Sequence, residues 1–173
     1  MCGITGILAF NEKGKQYLNK VNAATYSLMK RGPDGEGIYF NKNAALGHRR
    51  LSIIDTSIAA AQPFTEATER YTIVFNGEIF NYKQLRNQLE SKGIKFKSLS
   101  DTEVLLQLFI SEKEKCLEKL DGEFAFAIYD SQTEEFFIAR DRFGIKPLYY
   151  FKNEERFVFG SELKALVQFD IPK

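Results

Sequence analysis

Phe124-Ala125-Phe126-Ala127-Ile128-Tyr129 is the stretch that decides the architecture. Successive side chains of a strand point to opposite faces, so Phe124, Phe126 and Ile128 share one face and Ala125, Ala127 and Tyr129 the other. Neither set is polar, which requires cover on both sides of the sheet. Phe136-Phe137-Ile138-Ala139 follows the same rule, and the Ser131-to-Glu134 link between the two runs fits a hairpin turn. Strands are expected over Glu123 to Asp130 and Glu135 to Asp141. A sheet covered on both faces, in a chain with too few helices to be doubly wound, implies a layered α+β sandwich.

Working outward, Pro147 to Phe151 and Arg156 to Phe159 read as further strands, and Ser161 to Phe169 as a short terminal helix. On the other side, Tyr71 to Asn76 is an apolar strand and Tyr82 to Lys92 a helix. Ser100-Asp101-Thr102-Glu103 has the capping-box form and opens an apolar helix through Ile110. Toward the N-terminus, Cys2 to Phe10 reads as a strand in which Gly3 and Gly6 permit close backbone approach. Leu18, Val21, Thr25, Leu28 and Met29 recur at helical spacing, predicting a helix over Gln16 to Lys30 with one packed face. Arg31-Gly32-Pro33-Asp34-Gly35 breaks it. Gly37 to Phe40 and Ala44 to Ile54 are extended, and Asp55 to Thr68 is irregular.

The 173 residues suit one domain. With 44% hydrophobic and 27% charged residues, the balance is that of a soluble globular chain. A net charge of +1 and the lack of a Lys/Arg block disfavour nucleic acid as a partner. No stretch approaches the roughly 20 apolar residues of a membrane span, and the start lacks the basic segment and cleavage site of a signal peptide. A cytoplasmic location is therefore expected, with Cys2 and Cys116 as thiols rather than a disulfide. Cys116 is expected to be a half-buried helix residue without a role. One His, His48, with two cysteines is poor metal-site material, and no phosphate-binding loop is present.

Cys2 has a mechanism attached to it. Removal of Met1 would leave Cys2 with a free α-amine, whose ordinary pKa of about 7.7–8.0 leaves part of it neutral near pH 7. One residue would then supply both nucleophile and base; an ordinary buried cysteine near a chain start is the alternative. His48 fits a structural hydrogen-bonding role better than a catalytic one. Asn76-Gly77, placed after an apolar strand, offers an amide side chain and an unobstructed N–H for an oxyanion, or else a simple turn. Arg50 can grip a carboxylate through two parallel bonds, and Glu78 and Asp101 can pair with an ammonium. Taken singly, each of these is an ordinary surface or helix-start charge.

The chain resembles the class II, N-terminal-nucleophile glutamine amidotransferases, and within them the glutaminase domain of asparagine synthetases. The matching stretches run nearly end to end: Met1-Cys2-Gly3-Ile4-Thr5-Gly6-Ile7, Arg31-Gly32-Pro33-Asp34 with Gly37, Gly47 to Asp55, Gln62-Pro63, Phe75 to Tyr82, Ser100 to Glu103, Ala139 to Tyr150, and Ser161 to Leu166. The resemblance implies a four-layer αββα sandwich over residues 2–173 and hydrolysis of L-glutamine to glutamate and ammonia. It implies Cys2 as nucleophile, Asn76 and Gly77 as oxyanion hole, Arg50 on the glutamine carboxylate, and Glu78 and Asp101 on its amino group. Leu51, Ser52, Ile53 and Ile54 would line the pocket, and the Arg31-to-Gly37 loop would sit over the nucleophile. Lys30 departs from the His that commonly precedes Arg-Gly-Pro-Asp. No cofactor is expected in these residues; ATP and magnesium would belong to a synthetase domain or subunit receiving the ammonia. Self-association into a homo-oligomer is compatible with this reading. The other readings are the same glutaminase serving a different acceptor, and an interaction module that has lost turnover.

Overall fold

A computed structural model describes residues 1–51 and 60–172. The elements in chain order are β1 (Gly3–Ala9), α1 (Glu12–Lys15), α2 (Lys20–Ser27), β2 (Gly35–Phe40), β3 (Ala44–Arg50), β4 (Phe64–Thr65), β5 (Tyr71–Ile79), α3 (Tyr82–Ser91), α4 (Asp101–Glu112), β6 (Gly122–Asp130), β7 (Glu135–Arg140), β8 (Tyr149–Lys152), β9 (Arg156–Gly160) and α5 (Leu163–Leu166). They form two antiparallel sheets, ordered β2-β3-β1-β9-β8 and β4-β5-β6-β7.

The two faces of β6 explain how the sheets stack. Ala125, Ala127 and Tyr129 meet Ile4, Leu46 and Phe159 of the first sheet in the layer between the sheets. Phe124, Phe126 and Ile128 point the other way, into a cluster closed by Leu85 and Leu89 of α3 and Val104, Leu105 and Leu108 of α4. The outer face of the first sheet is covered in turn by Val21 and Ala24 of α2, Leu28 just after it, and Ala165 and Leu166 of α5. The result is the expected αββα order. Being an edge strand, β7 is less enclosed than its sequence suggests: Phe136, Phe137 and Ile138 are only half-buried.

Two polar ties cross the interlayer core. Tyr129 Oη donates to Asn43 Oδ1 at 2.6 Å, and His48 Nε2 lies 3.2 Å from the Phe75 carbonyl. A carbonyl can only accept, so Nε2 carries the hydrogen. His48 is 1% exposed, and burial holds its pKa down at about 3. It is a neutral clip between β3 and β5, in keeping with the structural role expected for it.

Three local expectations are corrected. The helix expected over Gln16 to Lys30 is confined to α2, with turns at residues 16–19 and 28–30 on either side and the separate short helix α1 ahead of it. Asn11 accepts the Gly14 N–H at 3.0 Å and so starts the helix early, while Tyr17, Leu18, Lys20 and Val21 each bond three residues back, the tighter 3₁₀ spacing. Val21 and Leu28 are buried, whereas Met29, expected on the same face, is exposed. At the capping box, Ser100 Oγ accepts the Glu103 N–H at 3.3 Å. The Glu103 carboxylate, however, passes over the Ser100 N–H to take those of Lys97 and Ser98. Cys116 is fully buried rather than half-buried. Lys113, at a φ of 54°, ends α4, and the 3₁₀ turn Lys113–Lys119 folds Cys116 back into the outer core of the second sheet.

Candidate functional site

A cleft opens where β1 and β3 of the first sheet face β5 of the second and the start of α4. Cys2, Arg50, Leu51, Gln62, Asn76, Gly77, Glu78, Asp101 and Lys146 line it, together with Met1. The structure thus brings Cys2, Arg50, Leu51, Asn76, Gly77, Glu78 and Asp101 into one cavity. The expected pocket residues Ser52, Ile53 and Ile54 lie outside the described residues.

Cys2 sits just before β1, half-buried. The Leu51 N–H points at its Sγ at 3.4 Å, and the Leu51 carbonyl lies 3.6 Å from the same sulfur. Burial pushes the thiol up; the Leu51 amide, the N-terminal charge and Arg50 pull it down, and Asp101 adds to the rise. The net direction is upward, so the resting form near neutral pH is the thiol. A thiol in this state needs a base before it can act as a nucleophile.

Asn76 and Gly77 lie within β5. The strand does not stop at Asn76 but continues to Ile79, paired with β6. Glycine is what allows it: a Cβ at Gly77 would fall 2.3 Å from the Glu123 carbonyl oxygen and 2.7 Å from Phe124 Cα. The alternative reading of Asn-Gly as a simple turn does not hold, because the strand is continuous there. Asn76 is 1% exposed, and its Nδ2 has no hydrogen-bond partner among the described residues. Leaving a buried amide donor unpaired costs about 1–3 kcal/mol. An acceptor arriving in the cleft would recover that cost.

Asp101, the first residue of α4, is 5% exposed. Burial pushes its carboxyl up to about 6, opposed by the Ile79 N–H, which donates to Oδ2 at 3.1 Å, and reinforced by the charge of Glu78. Glu78 is exposed at the mouth. The wall therefore carries carboxylates on the second sheet's side and Arg50, at the end of β3, on the first. This is the polarity that an amino acid's ammonium and carboxylate require.

The stretch from Arg31 to Gly37, a loop only as far as Asp34 and then the start of β2, is pressed onto β3. A Cβ at Gly32 would meet the Arg49 carbonyl oxygen at 2.4 Å, Arg49 Nε donates to the Gly32 carbonyl at 3.1 Å, and the Asp34 N–H donates to the Arg50 carbonyl at 3.0 Å. The loop reaches Cys2 through Arg31, whose Nε donates to the Cys2 carbonyl at 2.9 Å; Lys30 is exposed.

Two cleft residues carry no role in the sequence reading. Gln62 accepts the Phe75 N–H at 2.6 Å and donates to Thr102 Oγ1 at 3.2 Å, joining β5 to α4 beside the cleft. Lys146 enters from the loop between β7 and β8. Both lie inside matching stretches, but nothing in their spacing places them near Cys2. Among the described residues no cluster of His, Cys, Asp and Glu could hold a metal ion, and no helix is long and apolar enough to cross a membrane.

A family model described as a glutamine amidotransferase domain matches residues 1–172. The chain belongs to that family. Among curated relatives, the chain is 41% identical to asparagine synthetase (glutamine-hydrolyzing) 3 of Bacillus subtilis strain 168, over 96% of its own length and 27% of the relative's. It is 38% identical to asparagine synthetase B of Escherichia coli strain K12, over 96% of its length and 30% of the relative's. Amidase chry2 of Gibberella zeae is 33% identical over 99% of the chain and 27% of its own length. The chain thus spans about a quarter to a third of these curated relatives. Among solved structures, the glutamine phosphoribosylpyrophosphate amidotransferase of B. subtilis, complexed with ADP and GMP, superposes with a TM-score of 0.77 at 25% identity, covering 98% of this chain and 44% of that one. The αββα sandwich is shared with this amidotransferase, and the domain is an enzyme domain of the glutamine amidotransferase type.

Proposed function

We propose that this amidotransferase domain hydrolyses L-glutamine through a thioester on Cys2 and supplies the ammonia to an ATP-dependent synthetase domain or subunit that makes asparagine. The observation that carries the reading is the buried Asn76 Nδ2, without a hydrogen-bond partner among the described residues, in the lining of the same cleft as the Cys2 thiol.

Because burial holds Cys2 as a thiol, a base must take its proton. His48 is a poor candidate, being buried, tied to Phe75 and weakly basic. The α-amine of Cys2, exposed once Met1 is removed, is the base at hand. It accepts the thiol proton as Sγ attacks the glutamine side-chain carbonyl carbon. Asn76 Nδ2 and the Gly77 N–H donate to the oxyanion. Collapse breaks the C–N bond, and the ammonium returns its proton to the leaving nitrogen, releasing ammonia and leaving the thioester. Water, deprotonated by the same amine, then attacks the thioester; the C–S bond breaks, and glutamate and free thiol result. Arg50 holds the substrate carboxylate, Asp101 and Glu78 its ammonium, and Leu51 with Ser52, Ile53 and Ile54 the side of the pocket.

Asparagine as the product is supported by the names of the relatives that match most of the chain. The match to an amidase supports a second reading, in which the same hydrolysis serves another acceptor. The test is to incubate the purified chain with glutamine. Equal amounts of glutamate and ammonia are expected, carried only by molecules that mass analysis shows to lack Met1. Release that continues in Cys2→Ala would overturn the mechanism. Asparagine formed only on adding a synthetase partner, ATP and aspartate would separate the two acceptors.

A further inference from the structure

Two cations converge on the residue whose removal exposes the proposed base. Arg31 Nη2 lies 4.0 Å and Lys146 Nζ 3.8 Å from Met1 Sδ. Arg31 is accounted for by its bond to the Cys2 carbonyl and its ion pair with Glu162 at 3.2 Å. Lys146 has no role in the chemistry described so far, yet it lines the cleft and its side chain is only 14% exposed. Its position is built rather than incidental. Asp141 accepts the N–H groups of Ile145 at 2.9 Å and Lys146 at 3.0 Å, and Arg140 Nε donates to the Lys146 carbonyl at 2.7 Å. The head group is fixed by Glu123 of β6, whose Oε2 is 3.0 Å from Nζ.

Resting on the reading above, we propose that Lys146 is a positioning residue that keeps the freed α-amine of Cys2 in its neutral, proton-accepting form, with Glu123 as the anion that moderates it. An ammonium facing another ammonium is disfavoured, whereas a neutral amine is not. The other charged groups around Cys2 and the cleft are Arg31 from the loop after α2, on the Cys2 carbonyl, with its partner Glu162 before α5, which also pairs with Lys164 of α5, and the cleft-lining Arg50 of β3, Glu78 of β5 and Asp101 of α4. Each of these has a partner or a substrate contact assigned to it. Lys146 and Glu123 form the pair with no such assignment, so altering them changes the field at the amine without removing a substrate contact.

The test is the pH dependence of kcat/KM for glutamine hydrolysis, in protein shown by mass to lack Met1. A partly screened charge at this remove shifts such a limb by about half a pH unit. Lys146→Met should move the acid limb up by about that amount, Glu123→Gln should move it down, and Lys146→Arg should leave it in place. The ionisation of the α-amine, followed by the pH dependence of its acetylation in Cys2→Ser, should shift in the same directions; this readout needs no turnover. A lysine that merely braces the loop would lower kcat without moving either profile. Limbs that stay fixed in both variants, or that move in the same direction, would overturn the proposal. Hydrolysis surviving Cys2→Ala would overturn the mechanism beneath it instead, so the two failures are distinguishable.

Discussion

The two cysteines occupy opposite sides of the second sheet, and burial raises the pKa of both. At Cys116, buried among the apolar residues between that sheet and α4, burial is joined by the charges of Glu112 and Glu114, and the thiol is pushed up to about 12. At Cys2, burial is opposed by the Leu51 amide and by Arg50, and the sulfur opens on a cleft whose Asn76 amide donor is unpaired among the described residues. Depth alone does not separate a working thiol from a packing one. What separates them is whether neighbouring dipoles stabilise charge and whether a substrate can arrive.

Replacing the two cysteines tests that comparison directly. Cys2→Ala should lower kcat for glutamine hydrolysis by about 10⁴-fold or more, whereas Cys116→Ala should leave it within about twofold. Comparable losses in both would erase the distinction. Asn76→Ala removes the donor that Cys116 lacks altogether; kcat should fall by about 10²–10³-fold, with KM nearly unchanged, as steady-state kinetics will show. Asp101 sharpens the picture through pH. Its carboxyl pKa is raised to about 6 in the folded chain from 3.8, so the folded state binds the proton more tightly than the unfolded one. Stability should therefore fall as pH rises from about 4 to about 6 and stay level above, a slope worth on the order of 2–3 kcal/mol. Asp101→Asn should flatten this slope in urea titrations while raising KM for glutamine. Last, Cys116→Ser should cost about 1–2 kcal/mol of stability, because its hydroxyl would enter an apolar cluster, and should spare turnover; a Cys116→Ser protein as stable as wild type would mean the site is wetter than its packing indicates.

How far the sequence is legible follows from the range of the interactions involved. The β6 pattern stands because alternation is local and both faces really are covered. The capping Ser100 stands for the same reason. The break between α1 and α2 is not visible, since the apolar spacing there fits a helix and only the Asn11 cap and the three-residue bonds divide it. The reach of β5 to Ile79 depends on how closely Gly77 meets Glu123 and Phe124, a pairing between distant segments. In the site, Cys2, Asn76, Gly77, Arg50 and Asp101 are readable as a set because the family resemblance ties them together. Gln62 and Lys146 are not, since an amide bridge between β5 and α4 and a lysine held by a loop carboxylate depend on tertiary placement alone.

The cleft takes its parts from both sheets: Cys2 precedes β1 of one, while Asn76 and Gly77 belong to β5 of the other. No short stretch of chain sets the gap between the Cys2 sulfur and the Asn76 and Gly77 donors. The thickness of the layer holding Ala44, Val74, Ala125 and Ala127 sets it, with the His48 clip as its stop. The proposed reaction would thereby work as a caliper on the sandwich. Variants selected for ammonia release alone would also be selected for side-chain volume in that layer, including at positions that touch no substrate.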